Sequence, residues 1–206
     1  RMQEINKVNI TGIMIGVGHT DEVAGIPFKG HILTLLLQRT NDKIDEVIAV
    51  ISDNINNNID RIGVNIPVSI QGEIQTTRDY RNNKVYKYVL VDKFEILELD
   101  EFSYSNHIKL YGTIKHIAYR KLNAGVKITD FKVAVNNRLT GKICYIPCVS
   151  WGENADLVKK WKNGDTVYLH GKIRSRDYIK ATEEGDIEEK RTYEISVDSI
   201  KRINTQ

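Results

Sequence analysis

A chain of 206 residues that is 41% hydrophobic can bury a core and fills one large domain or two ordinary ones. It has no apolar run of about 18 residues and opens without a basic-then-apolar leader pattern, so membrane spans and export are not expected. The net charge of +3 hides an asymmetry: residues 1–102 hold 11 Lys/Arg against 15 Asp/Glu, and residues 103–206 hold 19 against 12. A polyanion site therefore belongs in the second half.

In chain order, residues 6–14 alternate as a strand that is expected to stop near Gly16 and Gly18. Gly16-Val17-Gly18 lacks the third glycine and the following helix of a dinucleotide fingerprint, so it reads as a loop. Residues 19–30 contain Gly25, Pro27 and Gly30 and also read as loop. Residues 31–39 and 44–51 are apolar runs of strand length joined by a turn. Ile55, Ile59 and Ile62 have helical spacing, with Ser52 or Asp53 as cap and Gly63 as stop, which predicts a short one-sided helix. A strand centred on Gly72 follows, and residues 84–97 close the unit.

After a short linker the pattern restarts. Residues 106–114 repeat residues 6–14 at an offset of 100. Residues 126–136 and 142–151 form a hairpin, and residues 153–162 read as a helix. Its Trp161 belongs to a core or an interface. The strand of residues 165–178 corresponds to the Gly72 strand. Residues 180–189 read as a charged loop, and residues 190–203 close the second unit. Each half is thus three strands, a short helix and two strands, the order of a five-stranded OB-fold barrel. The expected fold is all-β with one short helix per domain. Its expected division is a first barrel at 1–98, a linker at 99–104 and a second barrel at 105–206.

The strand at 165–178 carries the chemistry. Val167, Leu169 and Ile173 point to the core, while Tyr168, His170, Lys172, Arg174, Arg176 and Tyr178 share the other face. A face of cations and rings suits a single nucleic-acid strand. Its copy at 67–80 keeps the apolar face but has lost most of the cations. Cys144 and Cys148 share one face of a strand, about 13 Å apart at roughly 3.3 Å per residue. That is too far for a disulfide, and no nearby His or Cys completes a metal set. They read as buried small hydrophobes in a reducing, cytoplasmic setting.

The second half resembles the bacterial single-stranded DNA-binding protein (SSB) family. The opening Asn106-His107-Ile108-Lys109-Leu110-Tyr111-Gly112 is similar to that family's Asn-x-Val-x-Leu-x-Gly. Residues 131–138, the Trp151-Gly152 strand ending and residues 164–176 match further family segments, with Asn163 where the family has lysine. The first half keeps only the opening motif and Gly72. The resemblance implies base stacking on Tyr145, Trp151 and Tyr178, with Arg138 at a fourth stacking position. Alternation independently puts Tyr145 and Trp151 on one face. Phosphate contacts are expected from Lys172, Arg174 and Arg176, and from Lys132, Lys127 and Lys115. Tyr80 and Tyr168 are secondary candidates. At an offset of 99, Tyr145, Trp151, Arg174 and Arg176 become Glu46, Ser52, Gln75 and Thr77, so the first barrel is expected to be a scaffold, a pairing surface or a weak site.

The resemblance implies a homodimer presenting four OB-folds. The chain ends Lys201-Arg202-Ile203-Asn204-Thr205-Gln206 rather than in the family's acidic-hydrophobic tip, which argues against tail-mediated enzyme recruitment. The expected function is sequence-independent binding of single-stranded DNA in replication, recombination or mobile-element transfer. The alternatives are a protein-interaction module of the primosomal PriB type and a single-stranded RNA binder. No catalytic residues, cofactor or metal are expected: His19, His31, His107, His116 and His170 are scattered, and no nucleotide-loop, zinc or triad pattern occurs.

Overall fold

The computed structural model describes residues 4–204, without the side chains of Lys180, Glu188, Glu189 and Lys190. Ten strands form two closed barrels in succession. The first contains β1 (Ile5–Val23), β2 (Ile26–Gln38), β3 (Ile44–Ser52), β4 (Ile66–Asp79) and β5 (Lys84–Ile96). The second contains β6 (Ser105–Lys121), β7 (Lys127–Asn136), β8 (Ile143–Trp151), helix α1 (Gly152–Val158), β9 (Thr166–Ala181) and β10 (Ile187–Ile203). In the first, the ladder order β1–β2–β3–β5–β4 closes back on β1, and the β3–β5 pair is parallel. The second repeats this closure as β6–β7–β8–β10–β9. The chain is therefore two tandem OB-folds.

The repeat has a geometric consequence. β1 and β6 pair antiparallel, with Val8 opposite Ile108, Asn6 opposite Leu110 and Ile10 opposite Asn106. Repeat-equivalent residues thus exchange places about the Val8–Ile108 pair, which is a local two-fold relation within one chain. The two opening asparagines explain themselves. Asn6 Nδ2 donates to the Ile74 carbonyl at 2.8 Å and Asn6 Oδ1 accepts from Ile74 N–H at 2.9 Å. Asn106 makes the same two bonds with Ile173, at 2.7 and 2.9 Å. Each amide stands in for a ladder bond where the strands part company, and both side chains are nearly buried, so their polar atoms need partners.

The glycine of each organising strand marks a close approach. A Cβ at Gly72 would lie 2.1 Å from the Leu90 carbonyl oxygen, and one at Gly171 would lie 2.5 Å from that of Ser196. Only glycine lets the neighbouring strand cross there and the barrel close. One apolar cluster runs through both barrels, from Val8, Ile10 and Ile70 to Ile108, Leu169 and Ile173, with Trp161 packed partly against it. Cys144 and Cys148 are free and buried within it.

Three expectations are corrected. The helix expected from the isoleucines near 55–62 is only a 3-10 turn at Ile59–Arg61. Ser52 Oγ accepts from Asn54 N–H at 3.2 Å, and Asn56 Oδ1 accepts from Asn58 N–H at 2.9 Å. These short polar side chains offer the backbone an alternative to helical bonds, and Ile59 alone is fully buried. Residues 19–30 are not a loop: β1 runs on to Val23 and pairs with β2 through a two-residue turn. Ala24 and Gly25 both have positive φ, 50° and 80°, the conformation that twists with a hairpin. The charged stretch at 180–189 likewise continues β9 into β10, around a turn closed by Thr182 N–H to the Asp186 carbonyl at 2.8 Å.

Candidate nucleic-acid interface

Alternation sorts β8 into an inner row of Cys144, Ile146, Cys148 and Ser150 and an outer row that includes Tyr145, Pro147 and Trp151. Opposite the outer row on β7 stand Ala134, facing Tyr145, Lys132, facing Pro147, and Ile128, facing Trp151. Tyr145 is 42% exposed and Trp151 45%, and the exposed Lys132 lies between the two rings in register. Lys115 is half-buried on β6 opposite Lys132.

The rings are held from behind. Ser150 Oγ donates to the Thr129 carbonyl at 3.1 Å, and Thr129 Oγ1 donates to the Ala155 carbonyl at 2.7 Å. These bonds fix the strand-to-helix corner at Gly152, whose φ is +58°. The Tyr145 ring meets His116 edge-on at 6.2 Å between centroids. Its carbonyl accepts from Thr76 Oγ1 of the first barrel at 3.1 Å. Lys127 is tied to Asp156 at 2.6 Å, and Lys159 to the same carboxylate at 3.0 Å. That hydrogen bond raises the Lys127 ammonium above its ordinary pKa, and the two lysines hold Asp156 below the carboxylate range. Lys159 lies 4.3 Å over the Tyr119 ring. Tyr119 and His116 escaped the sequence reading because β6 bulges between Lys115 and Ala118, which breaks the alternation there.

On β9 the expected cations have different surroundings. Lys172 is paired with Asp198 of β10. Arg176 is 3.7 Å from Glu194, with its side chain 63% exposed. Tyr178, near the hairpin tip, is 40% exposed. Tyr168, farther along the same face of β9, lies edge-on to His170 at 5.0 Å and 6.5 Å from Tyr111. Arg174 reaches across to the first barrel, where its guanidinium lies 3.1 Å from Asp45.

Asp45 is the centre of that seam. It is fully buried and also receives bonds from Arg39 and, at 2.9 Å, from Ser175 N–H. Burial alone would raise this carboxyl, but the hydrogen bonds from Arg39, Ser175 and Arg174 outweigh it and hold the group below the usual range. Arg138 serves the same seam from the other barrel, paired with Glu73 at 3.0 Å and Asp92 at 2.7 Å. Asn137 donates to the Thr76 carbonyl at 2.9 Å and to Thr77 Oγ1 at 2.8 Å. Pairing between repeats is invisible in either repeat alone, so this role of Arg138 and Arg174 has no local signal.

In the first barrel the positions equivalent to Arg174 and Arg176 are Gln75, fully buried, and Thr77, 6% exposed. Thr77 shares a hydrogen bond of 2.7 Å with Tyr88. A cation there would be desolvated without an anion, which explains the neutral residues. A small apolar cluster of Val23, Val50, Tyr88 and Leu90, with Phe28, Ile48 and Leu139 against it, backs this region. Arg81 bonds Asp79 and Glu22 together, tying the β1–β2 hairpin to the β4–β5 hairpin.

Two open grooves lie on either side of the β4–β5 hairpin. One, of about 760 Å³, is lined by Tyr145, Lys132 and Lys142 of the second barrel and by Arg78 and Tyr80 of the first. The other, of about 870 Å³, is lined by Tyr178, Arg191 and Tyr193 of the second barrel and by Lys84, Tyr86 and Lys87 of the first. Among the described residues no group of three His, Cys, Asp or Glu side chains is placed to hold a metal ion. No described helix is long and apolar enough to cross a membrane.

Residues 105–203 match the family model described as single-strand binding protein family. No curated protein sequence matches the chain. Among solved structures, the chain is similar to the wild-type single-stranded DNA binding protein from Thermus aquaticus, with a TM-score of 0.75 at 13% identity. That match covers 100% of this chain and 96% of the other. A deletion mutant of the same Thermus aquaticus protein gives a TM-score of 0.74 at 13% identity, over 98% of this chain and 96% of that one. At such identity the likeness speaks for the fold, and it extends over both barrels.

Proposed function

Through residues 105–203 the chain belongs to the single-strand binding protein family, and from that premise we propose that its second barrel binds single-stranded DNA without sequence preference and without catalysis. The observation that carries this is the outer face of β7 and β8. Two large rings, Tyr145 and Trp151, stand exposed on one strand with Lys132 between them. Every base has a π-face, so rings spaced along a strand accept any sequence, at about 1–3 kcal/mol per stack. Lys132 and Arg176 supply charge to the phosphates, while Tyr178 extends the ring series onto the β9–β10 hairpin. Lys127, Lys172 and Arg174 are each paired with a carboxylate and contribute to the field more than to direct contacts.

The first barrel is mainly the scaffold in this reading. Glu46 and Ser52 occupy the positions of Tyr145 and Trp151, and its Glu46 carboxylate is paired with Arg191 of the second barrel. Two copies pairing to present four barrels is part of the same proposal. The surface we assign to that pairing is the one carrying Tyr111, Tyr168 and His170, whose rings cluster together.

The test is titration of the tryptophan fluorescence with oligo-dT, oligo-rU and a DNA duplex at two salt concentrations. Quenching by oligo-dT, weakened by salt and exceeding that by duplex, is the expected result. Equal quenching by oligo-rU turns the assignment to single strands of either sugar. Absence of binding to any strand overturns it in favour of a protein-interaction module.

A further inference from the structure

The first half of the chain is acidic, yet residues 78–87 within it hold four cations, Arg78, Arg81, Lys84 and Lys87, against the single acid Asp79. The same ten residues hold Tyr80, 84% exposed, and Tyr86, 42% exposed. Neither ring serves the core. This segment is the end of β4, the turn and the start of β5, and it stands between the groove of Tyr145 and the groove of Tyr178. A strand that runs from one groove to the other along their shared lining crosses this hairpin of the first barrel.

Lys87 sits where that crossing occurs. Its side chain is half-buried against the second barrel, and Nζ donates to Thr192 Oγ1 of β10 at 2.8 Å. Thr192 is the register partner of Arg176. Lys132 and Arg176 are both close enough to act on the Lys87 charge, and the Glu194 carboxylate opposes them. Burial, and then those two cations, hold the Lys87 ammonium below its ordinary pKa. These three cations outnumber that carboxylate, so a backbone phosphate placed among them meets positive charge that Glu194 alone does not balance.

We propose that the β4–β5 hairpin of the first barrel is part of the strand path, with Lys87, Lys132 and Arg176 forming a composite site for a backbone phosphate of the single strand across the barrel seam. Tyr80 adds a stacking ring on the Tyr145 side of the crossing, and Tyr86 adds one on the Tyr178 side. This inference rests on the binding function proposed above and changes one part of it: the scaffold barrel lends a hairpin to the site.

The experiment compares the full chain with Lys87→Gln and Lys87→Arg, by titration with oligo-dT over a series of salt concentrations. Removal of one phosphate contact lowers the magnitude of the log–log salt slope by about 0.7 for a single strand. Lys87→Gln is expected to show that reduction, and Lys87→Arg to restore the original slope. Gln keeps a donor for Thr192, and a thermal melt verifies the fold. If Lys87→Gln does not fold, Tyr80→Ala decides instead, with an expected loss of about fivefold or more in affinity; its exposed ring makes unfolding no concern. A wild-type slope in Lys87→Gln, or wild-type affinity in Tyr80→Ala where that variant decides, overturns the inference while the binding function stands. Failure of the unsubstituted chain to bind oligo-dT overturns both, and so tells the two apart.

Discussion

In the proposed function, Trp151 is the residue on which binding turns. The strand ends on it, Gly152 turns the chain away at once, and the bonds from Ser150 to Thr129 and from Thr129 to Ala155 fix the corner behind it. A backbone corner held this way presents the indole without further ordering of the strand, so less of the stacking energy is offset by ordering on binding. Trp151→Ala is expected to weaken oligo-dT binding about tenfold or more, read by tyrosine fluorescence or by gel shift. Ser52→Ala, at the equivalent place in the first barrel, is expected to leave binding unchanged; equal losses in the two variants would contradict the division of labour. Trp151 and Tyr145 were legible in the sequence because period-two alternation places both on one face of a strand. Arg138 and Arg174 carry the same charge as Lys132 and stand in segments just as regular, yet the fold commits them to Glu73, Asp92 and Asp45. Residue type identifies a cation, and only the other repeat's position decides whether it is already paired.

Elements were legible in proportion to how local their causes are. The ten strands show in the alternation, and the organising glycines show in the repeat of Gly72 and Gly171. The β1–β2 hairpin tip was obscured because Gly25 and Pro27 look like loop residues. Positive φ at Ala24 and Gly25 makes them instead a two-residue turn between paired strands. The isoleucines near 55–62 show the reverse error: helical spacing was present, and the bonds that the Ser52 and Asn56 side chains accept from nearby backbone N–H groups prevailed over it. Gly171 gives this scale its test. A Cβ there would press on the Ser196 carbonyl at 2.5 Å and on the Ile195 side chain at 2.9 Å, with β6 fixed on its other flank. Gly171→Ala is expected to cost about 1–3 kcal/mol of stability through this crowding, measured by denaturant unfolding. A neutral result would mean that β10 can shift outward at no cost, and that the glycine is dispensable for closure.

The whole molecule is held as one body by a seam that neither barrel contains alone. The β1–β6 ladder joins the two sheets, and beside it the buried Asp45 gathers Arg39 from its own barrel with Arg174 and Ser175 from the other. Because the folded state holds the Asp45 carboxyl below its ordinary range, the stabilisation is complete above the unfolded value of about 3.9. It is lost as the pH falls through the depressed folded value, where the carboxylate takes up a proton and its donors lose their acceptor. Acid should therefore loosen the barrels from each other along with any other depressed carboxylates. Asp45→Asn removes this group's share of the pH dependence. Near neutral pH it is expected to destabilise the chain by about 3–5 kcal/mol, the usual result of leaving one side of a buried ion pair without its partner. Thermal melts of both forms from neutral pH down to about 3 read the effect, with the gap between the two narrowing as the pH falls. A constant gap would mean that the native carboxylate is not what the seam depends on. The same variant bears on binding, since the seam fixes the β4–β5 hairpin beside Tyr145 and Tyr178. If the strand path crosses that hairpin, a loosened seam weakens oligo-dT binding even though Asp45 touches no part of the strand.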